Sequence, residues 1–376
     1  MKKNILMANQ SSGYLMVDIV NAYARSGKYD KVMLFAGEIN IRPSVPDSSV
    51  KIIKTVKYNK TTTFKRLFTW IISFLHLILV VWTKRNCDLL LVSNPPLTVF
   101  VPLVTRKKYS YIVYDLYPDS LFSQGFIKKN SIIGRWWIKK TKKVFSNAEC
   151  VFTLSEDMRS AVAQYVDIEK IKVIYNWVHT EHIKPIEKTD NIFLKEHHLE
   201  DKFIVLYSGN MGMTHDIDIL VDVAKKLADF EKIHFLFIGE GAKKPIIEKK
   251  IRDYNLTNCS VMPFQPLDIL PYSIGSADIA VVTTDAKQSG LSVPSKTYTY
   301  MSAGAALLCI ADSETELGRL TEKCNIGKCY QSHCLNEISD YIKHLASDEA
   351  LLNTYKKNSR KGSLMYSPEN AKQYVL

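Results

Sequence analysis

The 376-residue sequence is poor in the residues that break or staple a chain. Its 15 Gly and 13 Pro are too few for a low-complexity linker protein, and no internal repeat is present. Seven cysteines occur without a Cys-x-x-Cys pair. Cys324, Cys329 and Cys334 recur every five residues with His333 beside the last, a spacing that does not suit a zinc knuckle. The odd, scattered set reads as free thiols of a reducing compartment. Residues 1–9 lack the apolar run of a signal peptide and read as a first strand. No RNP, KH, helix-turn-helix or zinc-finger signature occurs, so no nucleic-acid partner is expected. What remains is ordinary globular chemistry, 46% hydrophobic and 23% charged, which excludes a disordered or collagen-like chain. At about 100–200 residues per domain, the length favours two domains.

The charge is unevenly placed. Residues 1–180 carry 27 Lys and Arg against 12 Asp and Glu, whereas residues 181–376 carry 23 against 26. The first half therefore expects an anionic partner, such as a membrane surface or a phosphorylated ligand. Within it, residues 67–82 are almost wholly apolar and bracketed by Lys65-Arg66 and Lys84-Arg85. Sixteen residues fall short of the roughly 20 that span a bilayer. The polar members Thr69, Ser73 and His76 share one helical face. The first reading is a buried crossover helix, and the second is a helix lying in a membrane surface. Residues 132–145 place Arg135, Lys139 and Lys142 on one face with Trp136 near its border, which suits an anionic headgroup layer as well as a solvated face.

Short β-branched runs alternate with helical patterns. Strands are expected at 5–8, 31–35, 88–92, 111–114, 150–154 and 172–175, then at 203–208, 234–238, 260–262, 279–282 and 306–310. Continuous apolar strands separated by helices imply parallel sheets covered on both faces. Two such series imply an α/β chain of two Rossmann-like domains. In open parallel sheets ligands bind beyond the carboxyl ends of the strands. There stand Gly209-Asn210-Met211-Gly212 and Gly239-Glu240-Gly241-Ala242-Lys243, two glycine turns that let a phosphate approach backbone, with Lys243 able to add charge. The strongest local feature is Pro294-Ser295-Lys296 ahead of a helical pattern. Helix-start N–H groups and a Lys ammonium make a diphosphate site by their chemistry.

These residues carry a resemblance over essentially the whole chain. Asp115-Leu116-Tyr117-Pro118-Asp119, Val173-Ile174-Tyr175-Asn176-Trp177, Tyr207-Ser208-Gly209-Asn210, Gly239-Glu240-Gly241, Pro294-Ser295-Lys296 with Gly304, and Glu316-Leu317-Gly318 stand in the order found in the retaining glycosyltransferases of family 4. The subgroup resembled is bacterial and builds O-antigen, capsule and colanic-acid-type polysaccharides. The resemblance implies the GT-B fold of two facing Rossmann-like domains. It implies an acceptor-binding domain over 1–175, a linker over 176–201, a donor-binding domain over 202–360 and a returning C-terminal helix over 361–376. It also implies metal-independent transfer with no cofactor, from a nucleotide-sugar, usually UDP-linked, to a glycan or a polyprenyl-diphosphate-linked acceptor. The expected location is the cytoplasm, peripheral on the inner membrane face.

Donor contacts are expected from Gly209, Asn210, Gly239, Gly241, Ser295 and Lys296, with Phe264 against the base and, since both family glutamates are missing, Glu316 on a ribose or sugar hydroxyl. Ser12, Gly13 and Asp115 are implied for the acceptor. Lys296 would stabilise the leaving diphosphate, and Asp115 or Asp119 would orient or deprotonate the acceptor. Asp119 reads equally well as a helix cap. The chain departs from the wider family where two glutamates would stand, at Leu291 and Thr299, and where an Arg and a Lys would stand, at Asn210 and near His215. A family histidine is replaced by Tyr114, and the first glycine loop is reduced to Ser11-Ser12-Gly13. Two other readings use the same fold: a nucleotide-sugar 2-epimerase and an inactive membrane- or glycan-binding member.

Overall fold

The computed structural model describes residues 3–40, 43–59, 61–84, 86–123, 125–213, 215–283 and 294–376. These divide into two compact units, 3–177 with Pro368–Leu376, and 178–283 with 294–367.

The first unit is built on a seven-stranded sheet. Its spatial order is Lys51–Lys54, Tyr29–Ala36, Lys3–Ala8, Cys87–Val92, Tyr109–Ile112, Val151–Thr153 and Ile171–Val173. Every pairing is parallel. Central strands such as Leu89-Leu90-Leu91-Val92 are buried on both faces, which is why they read as unbroken apolar runs. Hydroxyl caps start the helices that follow. Ser131 accepts from the Gly134 N–H at 3.1 Å ahead of helix Ile132–Asn147, and Ser155 accepts from Met158 ahead of Glu156–Val162. The C-terminal 3₁₀ helix Pro368–Tyr374 packs on helix Tyr14–Arg25. Tyr374 is buried there between Phe152 and Trp177, and its carbonyl accepts the Tyr23 hydroxyl.

The second unit carries a six-stranded parallel sheet, ordered Cys259–Met262, Ile233–Ile238, Phe203–Ser208, Ile279–Thr283, Ala306–Ile310 and Gly327–Tyr330. Alternate residues feed two cores. Phe203, Val205, Tyr207, Phe235 and Phe237 pack on one face, and Ile204, Leu206, Leu236 and Ile238 on the other. Each such fully buried side chain contributes roughly 1.5–3 kcal/mol.

Two expectations are corrected. Residues 176–201 do not form a solvated polar linker. Val178, Ile183, Phe193, Leu194 and Leu199 enter the second core, and Asn191 caps the short helix Ile192–Glu196 that turns Phe193 and Leu194 inward. Nor is the apolar crossover helix buried. It runs over Thr63–Thr83, and only a narrow, mixed stripe faces inward. Thr69, Ser73, Leu77 and Val81 are buried, whereas Phe64, Phe68, Ile71, Leu75, Leu79 and Trp82 are exposed. Edge strands Lys51–Lys54 and Gly327–Tyr330 were not expected, since charge and glycine interrupt their apolar pattern.

Candidate functional site

The carboxyl edge of the second sheet collects the glycine turns. Gly209 follows strand Phe203–Ser208, and Gly239 and Gly241 follow Ile233–Ile238. The two turns are laced together by backbone. Gly209 N–H donates to Ile238, Met211 N–H to Glu240 and Lys243 N–H to Met211, all within 2.8–2.9 Å. Gly239 has φ +142°, and a Cβ there would lie 2.0 Å from the Gly209 carbonyl oxygen. No other residue fits that crossing. The outcome is a strip of bare backbone at the sheet edge.

Lys296 lies against this strip. It opens helix Lys296–Ser302, with Ser295 at the cap in helical conformation and making no side-chain cap bond. A Cβ on Gly209 would approach the Lys296 Nζ to 3.0 Å, so glycine there makes room for the ammonium. Nζ sits 3.9 Å from the ring centroid of Tyr207. It is buried and has no hydrogen-bond partner among the described residues. Burial lowers the Lys296 pKa from 10.5 to about 8. A cation withdrawn from water, held by an aromatic face and without a counter-ion among the described residues, is poised for an anion.

Two tyrosines that the sequence reading passed over hold this arrangement. The Tyr207 hydroxyl donates to the Asn210 carbonyl at 2.8 Å and meets His215 Nδ1 at 2.8 Å. Tyr300 stands one turn beyond Lys296, and its hydroxyl accepts from the Ser208 N–H and donates to the Ser208 carbonyl. Together they fix the end of strand Phe203–Ser208 under the ammonium. The i, i+4 spacing of Lys296 and Tyr300 was the available signal.

Other expected residues fare differently. Lys243 is not free for a ligand: it is buried, and its ammonium lies 2.5 Å from Oδ1 of the half-buried Asp218. The Asn210 side chain is exposed beside Gly212, and His215 is engaged by Tyr207. Phe264 follows the edge strand Cys259–Met262 and is 55% exposed. Glu316 opens helix Glu316–Cys324, which Thr315 caps, and lies 3.4 Å from Arg319. The strands before Phe264 and Glu316 lie four positions apart in the sheet, roughly 19 Å at ordinary strand spacing. They flank the glycine strip on opposite sides. Thr299 lies within helix Lys296–Ser302, while Leu291 lies outside the described residues.

The first unit has its own carboxyl edge. Ser93 accepts the N–H groups of both Tyr114 and Asp115 at 3.0 Å, which fixes the chain after strand Tyr109–Ile112. Burial raises the Asp115 pKa, and its carboxylate accepts no hydrogen bond among the described residues. The Tyr114 hydroxyl and the side-chain oxygens of Asn9 and Gln10 are buried without partners among the described residues. Asp119 is otherwise occupied: it opens helix Asp119–Ser123 and accepts from the Tyr165 hydroxyl and Gln164. The Ser12 hydroxyl donates to the Asn9 carbonyl, and Gly13 is open at the start of helix Tyr14–Arg25. All seven cysteines are free, and no three His, Cys, Asp or Glu gather into a metal set among the described residues.

Comparison with known proteins agrees with this geometry. Residues 188–362 match the family Glycosyl transferases group 1. The chain is 27% identical to "Probable glycosyltransferase WbjE" of Pseudomonas aeruginosa over 85% of this chain and 82% of that protein. Among solved structures, Anabaena Alr3699/HepE in complex with UDP and glucose matches at TM-score 0.72 and 13% identity, covering 99% of this chain and 98% of that one. WaaG, a glycosyltransferase involved in lipopolysaccharide biosynthesis, matches at TM-score 0.72 and 11% identity over 99% of both chains. The two parallel sheets are thus those of the GT-B fold, and residues 188–362 are similar to the group 1 glycosyltransferases.

Proposed function

We propose that the chain transfers a glycosyl group from a UDP-sugar to a glycan or a polyprenyl-diphosphate-linked acceptor in bacterial surface polysaccharide synthesis. The anomeric configuration is retained, no metal is required, and the protein works in the cytoplasm on the inner face of the membrane. The observation that carries the reading is the buried Lys296 ammonium over Tyr207, without a hydrogen-bond partner among the described residues and beside bare backbone at Gly209 and Gly239. Relatives support it: the HepE structure holds UDP and glucose, and WaaG acts in lipopolysaccharide biosynthesis.

In this reading Lys296 binds the diphosphate. As the bond between the anomeric carbon and the phosphate oxygen breaks, negative charge grows on the leaving UDP, and the preorganised ammonium stabilises it. One such group supplies about 3 kcal/mol of transition-state stabilisation. The acceptor hydroxyl attacks from the face the diphosphate is leaving, and its proton passes to a leaving-phosphate oxygen. Asp115, whose carboxylate has no hydrogen-bond partner among the described residues, orients the acceptor hydroxyl. Phe264 backs the uracil, and Glu316, on the opposite flank, binds a sugar hydroxyl rather than the neighbouring ribose.

A thermal-shift panel of UDP, GDP, ADP and CMP tests the donor. A ligand at 100 times its Kd adds roughly 2.7 kcal/mol of stability. A selective shift with UDP is expected. A shift with GDP alone changes the donor class, and no shift with any nucleotide removes the reading.

A further inference from the structure

Helix Thr63–Thr83 turns an apolar stripe outward, where a surface helix is ordinarily polar. Its narrow inward stripe is Thr69, Ser73, Leu77 and Val81. The Thr69 carbonyl accepts from Gln10, and His76 on the same side meets the Thr55 hydroxyl at 3.1 Å. Its outward stripe, from Phe64 at 77% exposure to Trp82 at 61%, is apolar through the i+3 and i+4 positions between them. Among the described residues it is the one helix long and apolar enough to cross a membrane. As the crossover between strands Lys51–Lys54 and Cys87–Val92, however, it is held along one side. A helix fixed in that way presents a face and does not span.

We propose that this face of the first unit is a docking surface seated in the headgroup layer of an anionic lipid bilayer. The inference deepens the membrane location given in the proposed function, on which it rests, and is argued from the first unit alone. The apolar surface continues past the helix. Trp82 Nε1 donates to the Val104 carbonyl, and segment Pro96–Val104 packs against both helix Thr63–Thr83 and helix Ile132–Asn147. Phe100 of that segment packs against Trp136 in a tilted arrangement, ring centroids 5.2 Å apart. Beside Trp136 stand exposed Ile132 and Ile133. Cations border the surface: Lys65 and Lys84 at the helix ends, Arg106, Arg135 and Lys139 beyond, and Lys140 over the Trp136 ring at 5.9 Å. Residues 55–148 hold sixteen Lys and Arg against three acids, so the border complements an anionic surface. A second copy is the poorer occupant, because a two-fold contact would set the same cations against one another.

The test spins the full-length protein with phosphatidylcholine vesicles and with vesicles carrying about 30% phosphatidylglycerol. The protein is expected to pellet with the anionic vesicles at low salt and to be released in part by high salt. Its tryptophan fluorescence is expected to be quenched by brominated lipid. The double variant Leu75→Glu/Leu79→Glu, at exposed positions, should lower partitioning by about tenfold or more. Lys139→Glu/Lys140→Glu should weaken the salt-dependent part. The UDP thermal shift should be unchanged in both, which separates this inference from the donor reading and confirms that the variants fold. Protein left in the supernatant with anionic vesicles overturns the proposal. Wild-type binding by Leu75→Glu/Leu79→Glu overturns it too, since charge alone would then suffice. So does a dimer that Leu79→Glu dissociates without effect on vesicle binding.

Discussion

The two sheets end in opposite ways at the edge where parallel sheets take ligands. In the first unit the chain after strand Lys3–Ala8 is filled by its own side chains. Gln10 Nε2 donates to the Val56 and Thr69 carbonyls, and the Ser12 hydroxyl turns back to Asn9. Gly13 has ordinary φ −88° and open space where a Cβ would go. In the second unit the equivalent edge is stripped to glycine backbone, with an ammonium buried over it. A filled edge with spare acceptor oxygens has the chemistry for neutral hydroxyls, and a bared edge with a cation unpaired among the described residues has the chemistry for a diphosphate. One architecture presents two edge chemistries, and the difference is made by a few side chains beyond the strand ends.

The largest expected effect breaks the second edge. Lys296→Ala should cut transfer by about a hundredfold or more, near 3 kcal/mol of barrier. It should not cost stability. Lowering a lysine pKa from 10.5 to about 8 corresponds to roughly 3 kcal/mol of unfavourable burial at neutral pH in the ligand-free protein. The variant should therefore melt no lower than wild type while losing the UDP shift. A variant that melts lower and still turns over would make Lys296 a packing residue. Next comes Gly239→Ala, whose Cβ would meet the Gly209 oxygen at 2.0 Å. A cost of about 2–3 kcal/mol in urea unfolding is expected, with nucleotide affinity falling alongside.

Much of this was legible beforehand, and the reasons differ by element. Strands Phe203–Ser208 and Ala306–Ile310 match their expected bounds because both faces are buried and the apolar run is unbroken. Strand Gly327–Tyr330 carries Gly, Lys and one Tyr, so only its neighbour in the sheet makes it a strand. Helix Thr63–Thr83 was legible as an apolar helix, but periodicity gives the angle between faces and not which one turns inward. Glycine turns and Lys296 announce themselves in sequence. Tyr207 and Tyr300 do not, because their work is tertiary: one supplies a ring to a cation, the other ties down Ser208. Lys243 shows the converse error, a cation correctly placed near the strip and already neutralised by Asp218.

A smaller effect concerns pH. Lys296 is charged below about pH 8 and loses its proton above it in the ligand-free protein. A bound diphosphate holds that proton, so UDP affinity should be flat up to that point and fall as pH rises beyond it. Between pH 7 and pH 9 a loss of about tenfold is expected. Titration calorimetry should show proton uptake on binding at the higher pH. Lys296→Met should bind weakly with a flat profile. A flat profile in the wild type would assign the diphosphate to other groups.

The smallest expected effect completes the comparison. Gly13→Ala, at the first edge, adds a methyl group that meets nothing within 4 Å and needs no change of backbone conformation. Gly13 stands at the N-cap of helix Tyr14–Arg25, where alanine is a poorer cap than glycine, while the loss of glycine's freedom in the unfolded chain acts the other way. The two nearly cancel, so stability should move by less than about 0.5 kcal/mol. Equal costs for Gly13→Ala and Gly239→Ala in parallel urea titrations would erase the distinction between the edges. An inert Gly13→Ala whose acceptor KM nonetheless rises would sharpen it, because a methyl group that disturbs no protein atom can then be disturbing only what binds there.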